Sequence, residues 1–171
     1  MPPVARLLVL LLLAVLSLQS GHDANAPTSP PKPDHILILK SARTLSLMNG
    51  AQSIKSYKVA LGSEPVGAKD RQGDHKTPEG LYSVDRKLDH SQFHRALHLS
   101  YPSPADREHA KKLGVSPGGD IEIHGLPDKY AWLGSQHRHV DWTDGCIALT
   151  NAEIDEIFPL IPVGTLVEIR P

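Results

Sequence analysis

The chain predicts a mainly β single domain with two or three short helices. Short apolar or alternating runs recur along the sequence, most of them closed by glycine or by a turn pair. Only two segments carry helical composition and end signals. No regular strand–helix–strand alternation is present, which excludes a doubly wound parallel sheet.

Taken in order, the first strand is expected over His35–Lys40, an apolar run, and the second over Thr44–Met48, where polar and apolar residues alternate. Asn49-Gly50 is a strong hairpin-turn signal. A third strand spans Ser53–Leu61 and closes at Gly62. Thr77-Pro78-Glu79-Gly80 reads as a turn, with a strand over Gly80–Val84 behind it. Ala96–Tyr101, Asp120–His124, Cys146–Thr150 and Thr165–Ile169 complete the strand set. Pro104–Leu113, with its Ala and Lys content and its stop at Gly114, is expected to be helical. Asn151–Leu160 opens with an N-cap residue and acidic first-turn residues, and it sets Ile154, Ile157 and Phe158 on one face.

Residues 1–26 have the layout of a secretory signal peptide: a weakly basic start at Arg6, an apolar run from Leu7 to Leu16, then small and polar residues. A membrane-spanning helix needs about 20 apolar residues and this run is about half that, so export is expected rather than a permanent anchor. Ala24-Asn25-Ala26 has the small-x-small form of a cleavage site, although Pro27 is a poor neighbour and leaves a cut nearer Ser20 open. Residues 27–33, Pro-Thr-Ser-Pro-Pro-Lys-Pro, form an extended linker. Residues 34–171 then suffice for one domain with its own core. A net charge of -1 and a pI near 6.8 give no electrostatic footprint for nucleic acid. The expected location is periplasmic or otherwise extracytoplasmic, and the expected state is monomeric.

Two segments carry chemistry. Cys146, the single cysteine, lies in Trp142-Thr143-Asp144-Gly145-Cys146-Ile147. His124 ends the run Asp120-Ile121-Glu122-Ile123-His124 and is followed by Gly125. A lone thiol in an exported chain forms no internal disulfide, so it is either a small buried filler or a reactive group. An unperturbed thiol is only about a few per cent thiolate at neutral pH, and a nearby imidazole can take its proton. Such a base needs its other ring nitrogen held, by a carboxylate or a backbone carbonyl. Gly145 lets the backbone approach a substrate closely, and the amides of Gly145 and Cys146 suit an oxyanion. Cysteine plus any one histidine is a weak signal in a chain with 10 histidines.

The spaced motifs add what that pair lacks. Ile121-Glu122-Ile123-His124-Gly125 followed by Thr143-Asp144-Gly145-Cys146-Ile147 resembles the active-site signature of the L,D-transpeptidases, whose catalytic domain is of the YkuD type. Ser56–Gly62, Pro65–Lys69 and Gly73–Gly80 match the strand, Gly-rich turn and Thr-Pro-x-Gly turn that the family places upstream. The resemblance covers nearly everything after the linker and implies a single L,D-transpeptidase domain, a mixed β-sheet sandwich or barrel. It implies that Cys146 attacks the carbonyl between the L-centre of diaminopimelate and the following D-alanine of a peptidoglycan stem peptide. D-alanine leaves and a thioester forms. An amine from a second stem, or a wall-linked protein acting as acceptor or leaving group, would then take part, or water would. By the family pattern His124 is the base, the Gly125 carbonyl orients it, and Gly145 and Cys146 supply oxyanion amides. Thr143, Asp144, His139 and Trp142 are the expected substrate contacts. No cofactor and no metal is implied.

The chain departs from the commoner Ser-His-Gly-Cys-x-Arg form, with Thr143, Asp144 and Ala148 at the varied positions. That variant resembles a subgroup that includes murein hydrolases, which leaves crosslinking and cleavage both open. Two other classes stand beside them: a wall-binding module without catalysis, and a zinc hydrolase built on His137, His139 and Asp141. The segment around those three residues otherwise reads as a solvated loop. Similarly, His90, His94 and His98 share a four-residue spacing, but the strand-like run at Ala96 argues against a helical cluster.

Overall fold

The computed structural model describes residues 31–171, so the signal peptide over 1–26 and most of the linker lie outside the described residues. Among the described residues, eight strands form one mixed sheet. β1 (His35–Leu39), β2 (Thr44–Asn49) and β3 (Gln52–Lys58) make an antiparallel meander through the Asn49-Gly50 turn. β4 (Gly80–Ser91) and β5 (His94–Leu99) form a hairpin. β6 (Glu122–His124) joins β5 antiparallel, and β7 (Ile147–Ala148) joins β6 parallel. β8 (Leu166–Arg170) returns to lie between β1 and β4, giving the order β3-β2-β1-β8-β4-β5-β6-β7.

The sheet rolls on itself without closing a full ladder. The chain beyond β3 crosses to the far edge, where the Ala60 and Ala148 amides exchange hydrogen bonds of 3.0 and 2.8 Å. The expected strand Ser53–Leu61 is therefore two devices: β3 pairs with β2, with Val59 still bonded to Arg43 beside it, and Ala60 and Leu61 staple the opposite edge. Inside the roll lie Ile36, Ile38, Leu45, Leu47, Val84, Leu97, Leu99, Ile123, Ile147 and Val167, all buried. Each such side chain contributes about 1.5–3 kcal/mol relative to exposure.

α1 (Pro104–Leu113) starts on a capping box from Ser103 and ends on a left-handed Gly114. α2 (Asn151–Ile157) is capped by Thr150, whose hydroxyl accepts from the Glu153 amide; Asn151 is its first helical residue rather than its cap. A single 3-10 turn, Phe158–Leu160, finishes the predicted helix. Two further departures are larger. β4 runs on to Ser91, because Asp85–Ser91 pairs with β5 although Leu88 is its only apolar residue. The expected loop between β6 and Cys146 instead contains 3-10 turns over Asp128–His139, broken at Gly134.

One buried cation organises the loop between β3 and β4. Lys40 is 2% exposed, and its ammonium donates to the carbonyls of Gly67 and Thr77 and to the Glu79 carboxylate, at 2.6–2.8 Å. All three of its donors are satisfied, which is the condition for burying an ammonium. The Thr77 hydroxyl then accepts from the Gly62 amide at 3.0 Å, tying this loop to the crossing segment.

Candidate active site

The strand period brings the predicted residues together. Register pairs Ile123 with Ile147 and with Leu97, and all three point into the core. Their neighbours His124, Glu122, Ala148, Ala96 and His98 therefore occupy the opposite face. Cys146 precedes Ile147 and continues that alternation, opposite Glu122 and one diagonal step from His124. Diagonal neighbours of this kind are within side-chain reach.

His124 is 1% exposed, and its Nδ1 lies 2.6 Å from the carbonyl oxygen of Gly125. A carbonyl only accepts, so Nδ1 carries the proton and Nε2 is left with its lone pair. Burial holds the imidazole at a pKa of about 4, with the Gly125 hydrogen bond working against that and His137 adding to it. The ring is stacked on Phe93 at 4.3 Å between centroids and meets the edge of Trp142 at 5.9 Å. Gly125 has no room for a side chain, since a Cβ would lie 2.6 Å from Asn151 Oδ1, the atom that accepts from the Leu126 amide.

Cys146 is half-buried, and its thiol donates to the Asp120 carbonyl at 3.5 Å. Asp120 presents that carbonyl from a left-handed conformation, φ 54°, uncommon for a residue with a side chain. Burial pushes the thiol up to about 12; the Glu122 amide opposes this, while the carboxylates of Glu122, Asp144 and Asp120 add to it. Both pKa shifts oppose a resting thiolate–imidazolium pair. The pair rests neutral, so any attack by the sulfur would require the proton to move as it proceeds.

The turn before Cys146 is fixed from two sides. Thr143 Oγ1 donates to the Cys146 carbonyl at 2.8 Å and accepts from the Gly145 amide at 3.1 Å. The Gly145 amide, expected among the oxyanion donors, is thus directed into the turn. Gly145 itself has φ 126°, and a Cβ there would lie 2.6 Å from the Lys76 carbonyl. Its role is steric: it lets the loop after Gly62 pass close behind the cysteine. Asp144 is exposed and pairs with His75 Nδ1 at 2.7 Å across that loop.

Of the expected substrate contacts, Trp142 stands beside the imidazole and lines an apolar groove of about 530 Å³ with Phe93, Leu126, Tyr130, Leu133 and Val140. His139 is exposed and does not line it. His137 does: it is buried and accepts from Trp142 Nε1 at 3.3 Å. The zinc-like trio separates for the same reason, since Asp141 turns away to pair with Arg43 at 2.9 Å. Among the described residues no three His, Cys, Asp or Glu side chains converge as a metal would require.

Phe93 and Glu122 escape the sequence reading, and His137 enters it only as a metal ligand, not as a wall of the groove. Phe93 left one signal, an aromatic residue inside the polar turn Ser91-Gln92-Phe93-His94.

Comparison with known proteins agrees with this geometry. Residues 33–169 match the model of the YkuD family, described as the L,D-transpeptidase catalytic domain. The chain belongs to that family. YafK of Escherichia coli K12, whose name assigns it provisionally to the L,D-transpeptidases, is 33% identical over 189 aligned positions, covering all of this chain and 68% of that protein. The helical cell shape determining protein Pgp2 of Campylobacter jejuni superposes with a TM-score of 0.60 at 26% identity, over 79% of this chain. Bd1075 of Bdellovibrio bacteriovorus gives 0.56 at 26% identity over 81% of this chain. The chain spans about half the length of these two structures, 46% and 48%.

Proposed function

We propose that this protein is an exported cysteine L,D-transpeptidase acting on peptidoglycan stem peptides. The observation that carries the reading is the His124 ring: its Nδ1–H is committed to the Gly125 carbonyl, and its bare Nε2 shares a sheet face with Cys146. As the thiol attacks the carbonyl that precedes the terminal D-alanine, Nε2 takes its proton, the C–S bond forms, and the imidazolium passes that proton to the leaving amine. A thioester on Cys146 and a neutral His124 result. An acceptor amine then takes the acyl group, giving a 3-3 crosslink or attachment to another wall amine. The Cys146 N–H is the oxyanion donor in this scheme, with Gly145 shaping the approach.

Water as acceptor is the second reading, which would make the protein a murein L,D-carboxypeptidase or endopeptidase. It is favoured by position 148: Ala148 is fully buried and bonded to Ala60, so no cationic side chain follows the cysteine to hold a substrate carboxylate. Similarity to a cell shape determining protein fits wall remodelling by either route.

The test is incubation of purified protein with tetrapeptide muropeptides and mass spectrometry of the products. A 3-3 dimer supports transfer, and a shortened stem without dimer supports hydrolysis. Cys146→Ala is expected to abolish both with little loss of stability; normal turnover by that variant would refute the nucleophile.

A further inference from the structure

The acceptor half-reaction leaves a proton unaccounted for. His124 ends acylation neutral, having given its proton to the departing amine. An acceptor amine arrives at neutral pH as an ammonium with three N–H bonds, and the amide product keeps one. Two protons must therefore leave that nitrogen. One returns to sulfur through His124 as the thiolate departs. The other needs a second acceptor beside the thioester.

We propose that Glu122 is that acceptor, the catalytic base that makes the incoming ammonium nucleophilic. This rests on the transpeptidase reading above. The parallel register sets Cys146 opposite Glu122, with both side chains on the face that carries His124. Among the carboxylates near the sulfur, the charge of Glu122 acts on it most strongly, ahead of Asp144 and Asp120. No side-chain hydrogen bond contributes to the protonation equilibrium of the Glu122 carboxyl, so among the described residues that group is uncommitted. The charged groups facing it are His98 on β5 and Arg86 on β4, which favour the ionised form, and Asp120 on its own segment, which opposes it. The Cys146 thiol completes the surroundings from the β7 side. Burial wins over these charges and raises the carboxyl above its ordinary value, towards the range of an effective base.

The step balances. The ammonium gives one proton to the Glu122 carboxylate, its nitrogen bonds to the thioester carbon, and His124 takes the second proton. The C–S bond breaks, the thiolate recovers the proton from the imidazolium, and the Glu122 carboxylic acid releases its own to solvent. Water as acceptor has only one proton to lose in reaching the acid product and needs no second base.

The experiment compares wild type with Glu122→Gln and Glu122→Asp, using tetrapeptide muropeptide as donor and reading acyl-enzyme, amine-transfer product and hydrolysis product by mass spectrometry across pH. For Glu122→Gln at pH 7 the ratio of transfer to hydrolysis is expected to fall about a hundredfold. The ratio should recover as pH rises, recover with hydroxylamine (neutral at pH 7) as acceptor, and be partly retained by Glu122→Asp. The same loss with hydroxylamine and an ammonium acceptor, or a ratio indifferent to the carboxylate in both variants, overturns the proposal. A wild type that forms acyl-enzyme but never transfers to amines also overturns it, while leaving the Cys146–His124 reading intact. Absence of any acyl-enzyme on wild type would instead defeat that underlying reading.

Discussion

The proposed base and nucleophile sit in opposite surroundings. Around His124 the wall is apolar: Phe93 lies on the ring, Trp142 at its edge, and the groove beyond is lined by Leu126, Leu133 and Val140. Around Cys146 the wall is acidic, with Glu122, Asp144 and Asp120 all raising the thiol pKa. The imidazole is kept neutral because desolvation penalises its cation, and the thiol is kept neutral because desolvation and nearby negative charge penalise its anion. Two unlike environments reach one resting state. The difference shows where each responds: the histidine side to access of water, the cysteine side to charge.

Removing the base is the largest way to break this arrangement. His124→Gln is expected to lower turnover about 10²–10⁴-fold, read as D-alanine release. The same variant tests acid stability. Folded His124 titrates near 4, below its ordinary value of 6.5, so its contribution is fully present above pH 6.5 and is lost as pH falls towards 4. The loss is on the order of 3 kcal/mol by linkage. Urea titrations at pH 7 and pH 4 should show a smaller acid destabilisation in His124→Gln; an unchanged one would mean that the ring is solvated.

A milder change sharpens the apolar side. Phe93→Ala uncovers one face of the imidazole, so the cation is penalised less and the pKa rises towards 6.5. The acid limb of kcat/KM should move up by about one pH unit. A limb that stays in place would assign the low pKa to something other than burial.

The smallest effect is expected on the acidic side. Asp144→Asn removes a carboxylate that raises the thiol pKa, so more thiolate forms at a given pH and alkylation by iodoacetamide should quicken about two- to threefold. Asp144 is 90% exposed, so the gain should shrink as salt is added. Alkylation that slows instead would show the Asp144–His75 pair to be holding the thiol accessible.

Much of this asymmetry was invisible along the chain. His124, Gly125 and Cys146 were legible because a spaced motif marks them, and Trp142 because it adjoins one. Phe93 reaches the imidazole only because β4 runs on to Ser91 and carries the hairpin turn over it; Asp85–Ser91 has no apolar alternation to announce a strand. His137 and His139 are equal candidates in sequence. The 3-10 backbone between them buries one against Trp142 and leaves the other in solvent.

The sequence alone determined the mainly β domain, most strand positions, the hairpin at Asn49-Gly50 and the candidates for nucleophile and base. Those are local matters of side-chain period, turn chemistry and motif spacing. Tertiary structure decided the rest: that the sheet rolls until Ala60 meets Ala148, that Lys40 clamps the loop behind Gly145, and that Glu122 comes to face the sulfur. Each depends on register between strands distant in sequence, and a one-residue slip would turn Glu122 and His124 into the core. No single segment encodes that register; it follows from which apolar faces can be buried together.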